Sequence, residues 1–261
     1  MPFIRAGGLA VHYQLDGDAR APVVMLSNSL GTDLHLWDAQ LPALLPKFRV
    51  LRYDMRGHGL TDVGPVEAYT IDMLASDALA LLDALGLDRV HFCGLSIGGV
   101  VGQKLGAKAG GRFRSLTLCN TAMRIGVAKT YQDRIEAVRQ GGMASIVEAV
   151  LQRWFTPEFF QSHPETVAGY RNIVSRTPAA GYIGCCFAIR DADLTAESPA
   201  IALPTLVVVA DHDQATPPES GRALALAVKG AQLVELKNAG HISAVEQPAA
   251  FNAALAAFLA R

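Results

Sequence analysis

The chain alternates between short runs of apolar residues and segments whose apolar positions recur at helical spacing. Apolar runs without polar alternation are typical of strands that are buried on both faces of a parallel sheet. Such runs predict strands at 23–26, 49–53, 90–93, 115–120, 204–210 and 232–236, after an N-terminal hairpin at 3–13. Helical spacing predicts helices at 71–85, 218–228 and 248–259. This succession predicts an α/β fold, a mostly parallel sheet flanked by helices, with ligands bound at the carboxyl ends of its strands.

The pattern changes between about residues 123 and 189, where strand-like runs disappear. Four helical segments take their place, at about 131–139, 143–155, 164–176 and 181–189. We therefore predict a helical lid, 123–189, inserted after the sixth strand of a core that consists of 1–122 and 190–261.

A Gly-x-Ser-x-Gly pentapeptide, Gly94-Leu95-Ser96-Ile97-Gly98, lies where a strand-like run gives way to a helical segment. In a nucleophile elbow a serine occupies a strained strand-to-helix turn, and the flanking glycines avoid collisions that a Cβ atom would make. Small residues also occur wherever a helix packs closely on a sheet, so the pentapeptide alone does not establish catalysis. The strand before it and the helix after it favour Ser96 as a nucleophile.

A serine hydroxyl needs a base within hydrogen-bond reach and a third group that orients this base. Two loops at predicted strand ends supply the candidates, because His241 follows the last strand and Asp213 follows the strand before it. The order serine, aspartate, histidine is that of α/β-hydrolase triads. Spacing alone leaves Asp211 as a competing acid.

Hydrolysis of an acyl group also requires donors for the developing oxyanion, and backbone N–H groups suit this role because they are fixed before the reaction starts. Ile97, at the start of the predicted helix, supplies one candidate N–H group, and Leu30, in the loop after the strand at 23–26, supplies the other. Asn28 and Ser29 in the same loop are candidates for further side-chain donors and for the lining of the substrate pocket, because the loop follows the end of a strand.

Composition narrows the class of protein. Hydrophobic residues make up 51% of the 261 residues and charged residues 18%, which excludes a disordered or nucleic-acid-coating chain. The net charge of −1 gives no broad field for phosphates or anionic membranes, so we expect no nucleic-acid or membrane partner. The four cysteines lack metal-type spacing, so we expect reduced thiols and no metal, and we expect no other cofactor. Because no targeting pattern is seen, we expect a cytoplasmic location. The oligomeric state is left open.

Nearly the whole chain resembles the α/β-hydrolase superfamily. The matching segments are Asp54-Met55-Arg56-Gly57-His58-Gly59, the Ser96 pentapeptide, Asp213 with the following Thr216-Pro217, and Ala239-Gly240-His241. In that superfamily the triad acid precedes such a Thr-Pro pair, which favours Asp213 over Asp211. The loop Leu26-Ser27-Asn28-Ser29-Leu30-Gly31-Thr32, where most relatives have His-Gly, is similar to that of the 3-oxoadipate enol-lactonases.

This resemblance implies a substrate and a mechanism. The substrate is expected to be a five-membered enol-lactone that carries a carboxylate, opened to 3-oxoadipate in aromatic catabolism. Ser96 is expected to attack the lactone carbonyl and form an acyl-enzyme, while His241 takes the proton and Asp213 holds the imidazole. Within the same fold, another carboxylic ester hydrolase, a C–C bond hydrolase or a perhydrolase is the alternative. A small-ligand binding module with a vestigial triad is the non-enzymatic alternative.

A desolvated substrate carboxylate needs a partner, since a buried unpaired charge is costly. The predicted lid offers several arginines, and the sequence does not show which of them points inwards: Arg124, Arg134, Arg139, Arg153, Arg171, Arg176 and Arg190. Trp154 is the candidate for an apolar wall of the substrate pocket, and packing within the lid is the alternative role for its side chain.

Overall fold

The computed structural model describes residues 1–261, and its eight strands form a single sheet. In chain order the strands are β1 Phe3–Ala6, β2 Leu9–Asp16, β3 Val23–Ser27, β4 Arg49–Tyr53, β5 Val90–Leu95, β6 Phe113–Cys119, β7 Thr205–Ala210 and β8 Gln232–Leu236. They lie side by side in the order β1-β2-β4-β3-β5-β6-β7-β8. The pairs β1–β2 and β2–β4 are antiparallel, and every pair from β4 to β8 is parallel. The predicted mostly parallel sheet is confirmed.

Helices flank this sheet and account for the uninterrupted apolar runs of its strands. In chain order they are α1 Leu41–Leu44, α2 Ile71–Ala84, α3 Ile97–Lys108, α4 Ala128–Gly141, α5 Val147–Trp154, α6 Pro157–Ser162, α7 Pro164–Arg176, α8 Ala179–Asp191, α9 Pro218–Ala227, α10 Ser243–Glu246 and α11 Pro248–Leu259. Helix α3 packs on β5 and β6, and α9 packs on β7. Every residue of β3 and β7 is buried, as expected for strands inside a parallel sheet. None of these helices has the length and apolar character that crossing a bilayer requires.

Helix α2 shows how local signals set the boundaries of a core helix. The side chain of Thr70 accepts a hydrogen bond from the backbone N–H of Met73 at 3.1 Å, which caps the first turn. Gly86 follows the last turn with φ of +65°, a conformation that glycine adopts without a steric penalty. The buried stripe of α2, which includes Leu74, Leu81 and Leu82, has the predicted helical spacing.

Five helices, α4 to α8, lie between β6 and β7 in the chain, one more than the sequence predicted. The helix that was not predicted is α6. Its six residues are too few to show a helical period. Its start signal was nevertheless present, since Pro157 is its first residue and the Thr156 side chain accepts the N–H of Phe159 at 3.2 Å. The predicted segment 143–155 consists of a 3₁₀ turn, Met143–Ser145, followed by α5.

The helices α4 to α8, here called the inserted helices, pack tightly on the rest of the chain. A Cβ atom at Gly181 of α8 would lie 2.0 Å from the carbonyl oxygen of Gly57, so the two backbones approach as closely as glycine allows. The N–H of Tyr69 also donates to the carbonyl oxygen of Gly184 at 3.2 Å. One cluster of buried apolar side chains includes both strand residues and residues of α4 to α8. The boundaries proposed for a core and a lid stay a prediction.

The four cysteines are all buried and free. Cys93 and Cys119 lie on the neighbouring strands β5 and β6, and their Sγ atoms are 3.8 Å apart. Buried cysteines in such strands pack as small apolar side chains.

Candidate active site

Ser96 lies in the sharp turn that joins β5 to α3. Its backbone has φ of 59° and ψ of −118°, a strained conformation for a residue with a side chain. Two hydrogen bonds hold the turn, since the N–H of Ser96 donates to the Cys119 carbonyl at 2.9 Å and the Thr121 hydroxyl donates to the Ser96 carbonyl at 2.8 Å. The strain therefore persists because neighbouring residues fix this backbone.

The glycines on either side of Ser96 are required by close backbone packing. A Cβ atom at Gly94 would lie 2.2 Å from the carbonyl oxygen of Gly98. A Cβ atom at Gly98 would lie 2.4 Å from the carbonyl oxygen of Ser27 at the end of β3. Both distances are far below van der Waals contact, so the turn tolerates no larger residue at either position. This is the steric requirement of a nucleophile elbow.

His241 and Asp213 form the buried pair that the sequence order suggested. The Nδ1 atom of His241 is 2.9 Å from Oδ2 and 3.1 Å from Oδ1 of Asp213. The competing acid, Asp211, instead accepts the N–H of Ala239 at 3.3 Å and lies 3.9 Å from the Nζ atom of Lys237. The geometry therefore brings Asp213, rather than Asp211, to the histidine.

The carboxylate of Asp213 is surrounded by donors. Its Oδ1 accepts the N–H groups of Ala215 and Thr216, each at 2.8 Å, and its Oδ2 accepts the Thr216 hydroxyl at 2.7 Å. Burial alone would raise the pKa of this carboxyl group. The neighbouring imidazole of His241 and the hydrogen bonds outweigh burial and hold the pKa below its usual value. Asp213 therefore stays ionised and oriented towards Nδ1.

Asn120 completes the set of donors around Asp213, a role that was not predicted from its place at a strand end. Its Nδ2 donates to Oδ2 of Asp213 at 3.0 Å, while its Oδ1 accepts the Ser243 hydroxyl at 2.6 Å. The backbone of Asn120 has φ of 45°, a conformation that asparagine tolerates better than most residues. An asparagine directly after the buried strand β6 was the only available signal.

Glu246 connects the loop of His241 to the inserted helices. Its Oε2 accepts the N–H of Gly240 at 2.7 Å, and its Oε1 accepts the N–H of Thr156 at 3.0 Å and the Thr156 hydroxyl. The N–H of Ile242 donates to the Trp154 carbonyl at 3.2 Å. The position of the histidine therefore depends on the segment between α5 and α6.

One cavity gathers most of the residues that the sequence singled out. Ser29, Leu30, Ser96, Trp154 and His241 all line it. The cavity has about 410 Å³ of empty space, counting the part open to solvent. A cavity of this size suits a compact ligand held between the sheet and the inserted helices.

Asn28 does not line this cavity, which corrects its assignment to the substrate pocket. Its Nδ2 donates to the Tyr53 carbonyl at 2.9 Å, and its Oδ1 accepts the Trp37 indole N–H at 2.9 Å. The fully buried amide is thus used to fix the loop after β3. Of the two proposed oxyanion donors, Leu30 lines the cavity, whereas Ile97 is the first residue of α3 and is fully buried.

A family model described as the alpha/beta hydrolase fold matches residues 22–248. The chain belongs to the α/β-hydrolase fold family. It is 38% identical over 258 residues to 3-oxoadipate enol-lactonase 2 of Acinetobacter baylyi, an alignment that covers 99% of this chain and 96% of that protein. The crystal structure of the enol-lactonase from Burkholderia xenovorans LB400 matches with a TM-score of 0.97 and 44% identity over all of both chains. A malate-bound thermophilic esterase from Thermogutta terrifontis matches with a TM-score of 0.92 and 29% identity, over 99% of this chain and 97% of that one.

In this α/β-hydrolase the segment Asp54–Gly59 supports the loop that carries Leu30. The Oδ1 atom of Asp54 accepts the N–H of Leu34 at 2.8 Å, and its Oδ2 accepts the N–H of Leu60 at 2.9 Å. His12 Nδ1 lies 2.7 Å from the same Oδ2. Asp54 therefore joins the loops after β3 and β4 at the carboxyl edge of the sheet.

Proposed function

We propose that this chain is a serine hydrolase that opens the ring of 3-oxoadipate enol-lactone to give 3-oxoadipate. The observation that carries the proposal is the arrangement of Ser96 and His241 on one cavity, with Asp213 bonded to Nδ1 of the histidine. Two proteins bear the name enol-lactonase: a relative that is 38% identical over 99% of this chain, and a solved structure that is 44% identical over all of it.

Acylation uses the three residues in distinct roles. Ser96 Oγ attacks the lactone carbonyl carbon while Nε2 of His241 accepts the hydroxyl proton. The pKa of Asp213 lies below its usual value, so its carboxylate is ionised. It keeps Nδ1 of His241 protonated and stabilises the imidazolium that forms. The backbone N–H groups of Leu30 and Ile97 receive the negative charge that develops on the carbonyl oxygen, and one such donor contributes about 3 kcal/mol.

Collapse of the tetrahedral intermediate breaks the ring C–O bond, and the imidazolium returns its proton to the departing enol oxygen. The enol then becomes a ketone, which makes it a poorer nucleophile for re-closure of the ring. Water, deprotonated by His241, then attacks the acyl carbon, the bond between this carbon and Oγ breaks, and the imidazolium returns its proton to Oγ, which frees Ser96 and the product acid. A cavity of this size suits a small substrate such as a five-membered lactone better than a bulky ester.

Hydrolysis of simple carboxylic esters is the second candidate, and the match to the Thermogutta esterase favours it. The same triad cleaves an ester or a lactone, so the two functions differ only in the shape and charge of the pocket. Relative turnover of the two substrates separates them.

The deciding experiment is steady-state hydrolysis of 3-oxoadipate enol-lactone, followed by loss of its ultraviolet absorbance, beside p-nitrophenyl acetate. We expect kcat/KM on the lactone of roughly 10⁴ to 10⁸ M⁻¹s⁻¹, far above that on the ester. The variant Ser96→Ala should lose at least about 10⁴-fold in both activities while it keeps the wild-type melting temperature. Strong ester cleavage without lactone turnover would assign the esterase function, and full activity in Ser96→Ala would refute the mechanism.

A further inference from the structure

The arginines of the inserted helices differ in whether an acidic side chain already neutralises them. Four are paired on the protein surface: Arg124 with Asp193, Arg139 with Glu67, Arg171 with Glu148, and Arg190 with Asp191. Of the other three, Arg176 lines a different cleft. Arg134 and Arg153 remain, and both line the cavity of Ser96 and His241.

Arg134 projects from α4 into this cavity without any acidic partner. Its Nη1 donates to the Tyr182 hydroxyl at 3.3 Å, and its guanidinium lies 5.4 Å from the centre of the Tyr131 ring. Both tyrosines are buried and neutral, so they orient the guanidinium without neutralising it. A half-buried cation without a counter-charge favours binding of an anion, because desolvation of an unpaired charge is costly.

Arg153 is less suited to this role. Its Nη2 donates to the backbone carbonyl of Gln214 at 3.1 Å in an exposed contact, and no buried side chain orients its guanidinium. The guanidinium of Arg134 is instead oriented by Tyr182 and Tyr131, so the planar fork of its remaining N–H donors can bind both oxygens of a carboxylate.

We propose that Arg134 binds the carboxylate of the substrate and so selects carboxylate-bearing lactones over neutral ones. The inference rests on the proposed lactonase function. Because Ser96 and Arg134 line the same cavity, a lactone whose carbonyl lies at Ser96 can direct its acetate side chain to the guanidinium that the two tyrosines hold in place. Arg134 is a specificity-determining residue in this proposal, since it contacts the carboxylate and not the bond that breaks.

A pair of substrates isolates this contact. α-Angelica lactone has the same unsaturated five-membered ring as 3-oxoadipate enol-lactone, with a methyl group in place of the carboxymethyl group. In Arg134→Met we expect kcat/KM to fall about 100-fold on the carboxylated lactone, mainly through KM, and less than about threefold on the methyl lactone. Arg134→Lys should recover about tenfold of this loss, since it restores the charge but not the fork. Arg171→Met, which removes a paired surface arginine of α7, is the matched control and should match the wild type on both substrates.

A binding measurement tests the contact without turnover. Calorimetric titration with 3-oxoadipate should give a dissociation constant about 100-fold weaker in Arg134→Met than in the wild type or in Arg171→Met. Any of three results would overturn the assignment. The three proteins could bind 3-oxoadipate equally well, Arg134→Met could lose kcat/KM equally on both lactones, or the selective loss of kcat/KM could be confined to Arg153→Met. A wild type that hydrolyses neither lactone would refute the proposed function, and the titration would still decide whether Arg134 holds the carboxylate.

Discussion

The Nδ2 atom of Asn120 donates a hydrogen bond to Oδ2 of Asp213 at 3.0 Å, although the two residues are 93 positions apart in the chain. Asn120 follows β6, and Asp213 lies in the loop after the adjacent strand β7. The bond therefore exists because parallel strands bring their carboxyl ends to one edge of the sheet. It completes the donors that keep the proposed triad acid ionised.

Replacement of Asn120 tests this contact. In Asn120→Gly we expect kcat/KM on the preferred substrate to fall about tenfold, because Asp213 loses a charge-assisted hydrogen bond. Asn120→Ala should lose the same activity. Its free energy of unfolding should also be about 1 kcal/mol lower than that of Asn120→Gly, since alanine is strained at φ of 45° whereas glycine is not. Activity and urea unfolding of the two variants separate the hydrogen bond from the backbone. Unchanged activity in both would show that Asp213 does not need this donor.

The lowered pKa of Asp213 predicts a pH dependence of stability. The pKa of this carboxyl group is lower in the folded chain than in the unfolded chain, so its ionisation stabilises the fold above the unfolded value of about 3.9. This contribution is lost as the pH falls below that value and through the folded pKa. We expect the unfolding free energy of the wild type to fall more steeply below about pH 4 than that of Asp213→Asn.

Urea unfolding between about pH 3 and pH 5 measures this difference. Asp211→Asn is the control, because Asp211 does not contact His241 and its loss leaves the pair intact. Asp213→Asn should also lose about 10⁴-fold in kcat. Parallel pH profiles for the wild type and Asp213→Asn would contradict the assigned pKa shift.

Glu246 provides a prediction about the inserted helices. Because its carboxylate accepts the N–H groups of both Gly240 and Thr156, Glu246→Ala leaves one buried and one half-buried donor without a partner. We expect a loss of about 2 to 4 kcal/mol of unfolding free energy and a lower kcat, since the loop of His241 is no longer held. Glu219→Ala, at an exposed position on α9, should behave as the wild type.

Chemical denaturation and steady-state kinetics check both variants. Limited proteolysis adds a local readout, because release of the Thr156 segment should expose cleavage sites between α5 and α6 before the sheet unfolds. Wild-type stability and proteolysis in Glu246→Ala would show that the Trp154 carbonyl bond alone fixes the two segments.

The surroundings of Ser96 could be predicted from the sequence, because they consist of residues that are neighbours in the chain. The strand, the turn at Ser96 and helix α3 are adjacent in the chain, and the need for glycine at 94 and 98 is a local steric fact. Helix α6 was not predicted, although its start signals were present, because it is too short to show a helical period.

Asn28 shows where local reasoning fails. The sequence placed it in the substrate pocket because its loop follows a strand, but its amide binds Tyr53 and Trp37 instead. Which polar side chain of a strand-end loop faces the ligand depends on partners elsewhere in the chain, and Trp37 and Tyr53 lie on separate elements.

The sequence by itself determined the mostly parallel sheet, the elbow around Ser96 and the order of the candidate serine, acid and base. These features follow from period, steric demand and chain order, which are properties of short segments. Only the tertiary structure decided between Asp211 and Asp213, gave Asn120 its role and showed that Arg134 and Arg153 line the cavity without an acidic partner, with Arg134 oriented by two buried tyrosines. Each of these depends on contacts between segments far apart in the chain, because charge pairing and burial are set by packing rather than by local pattern.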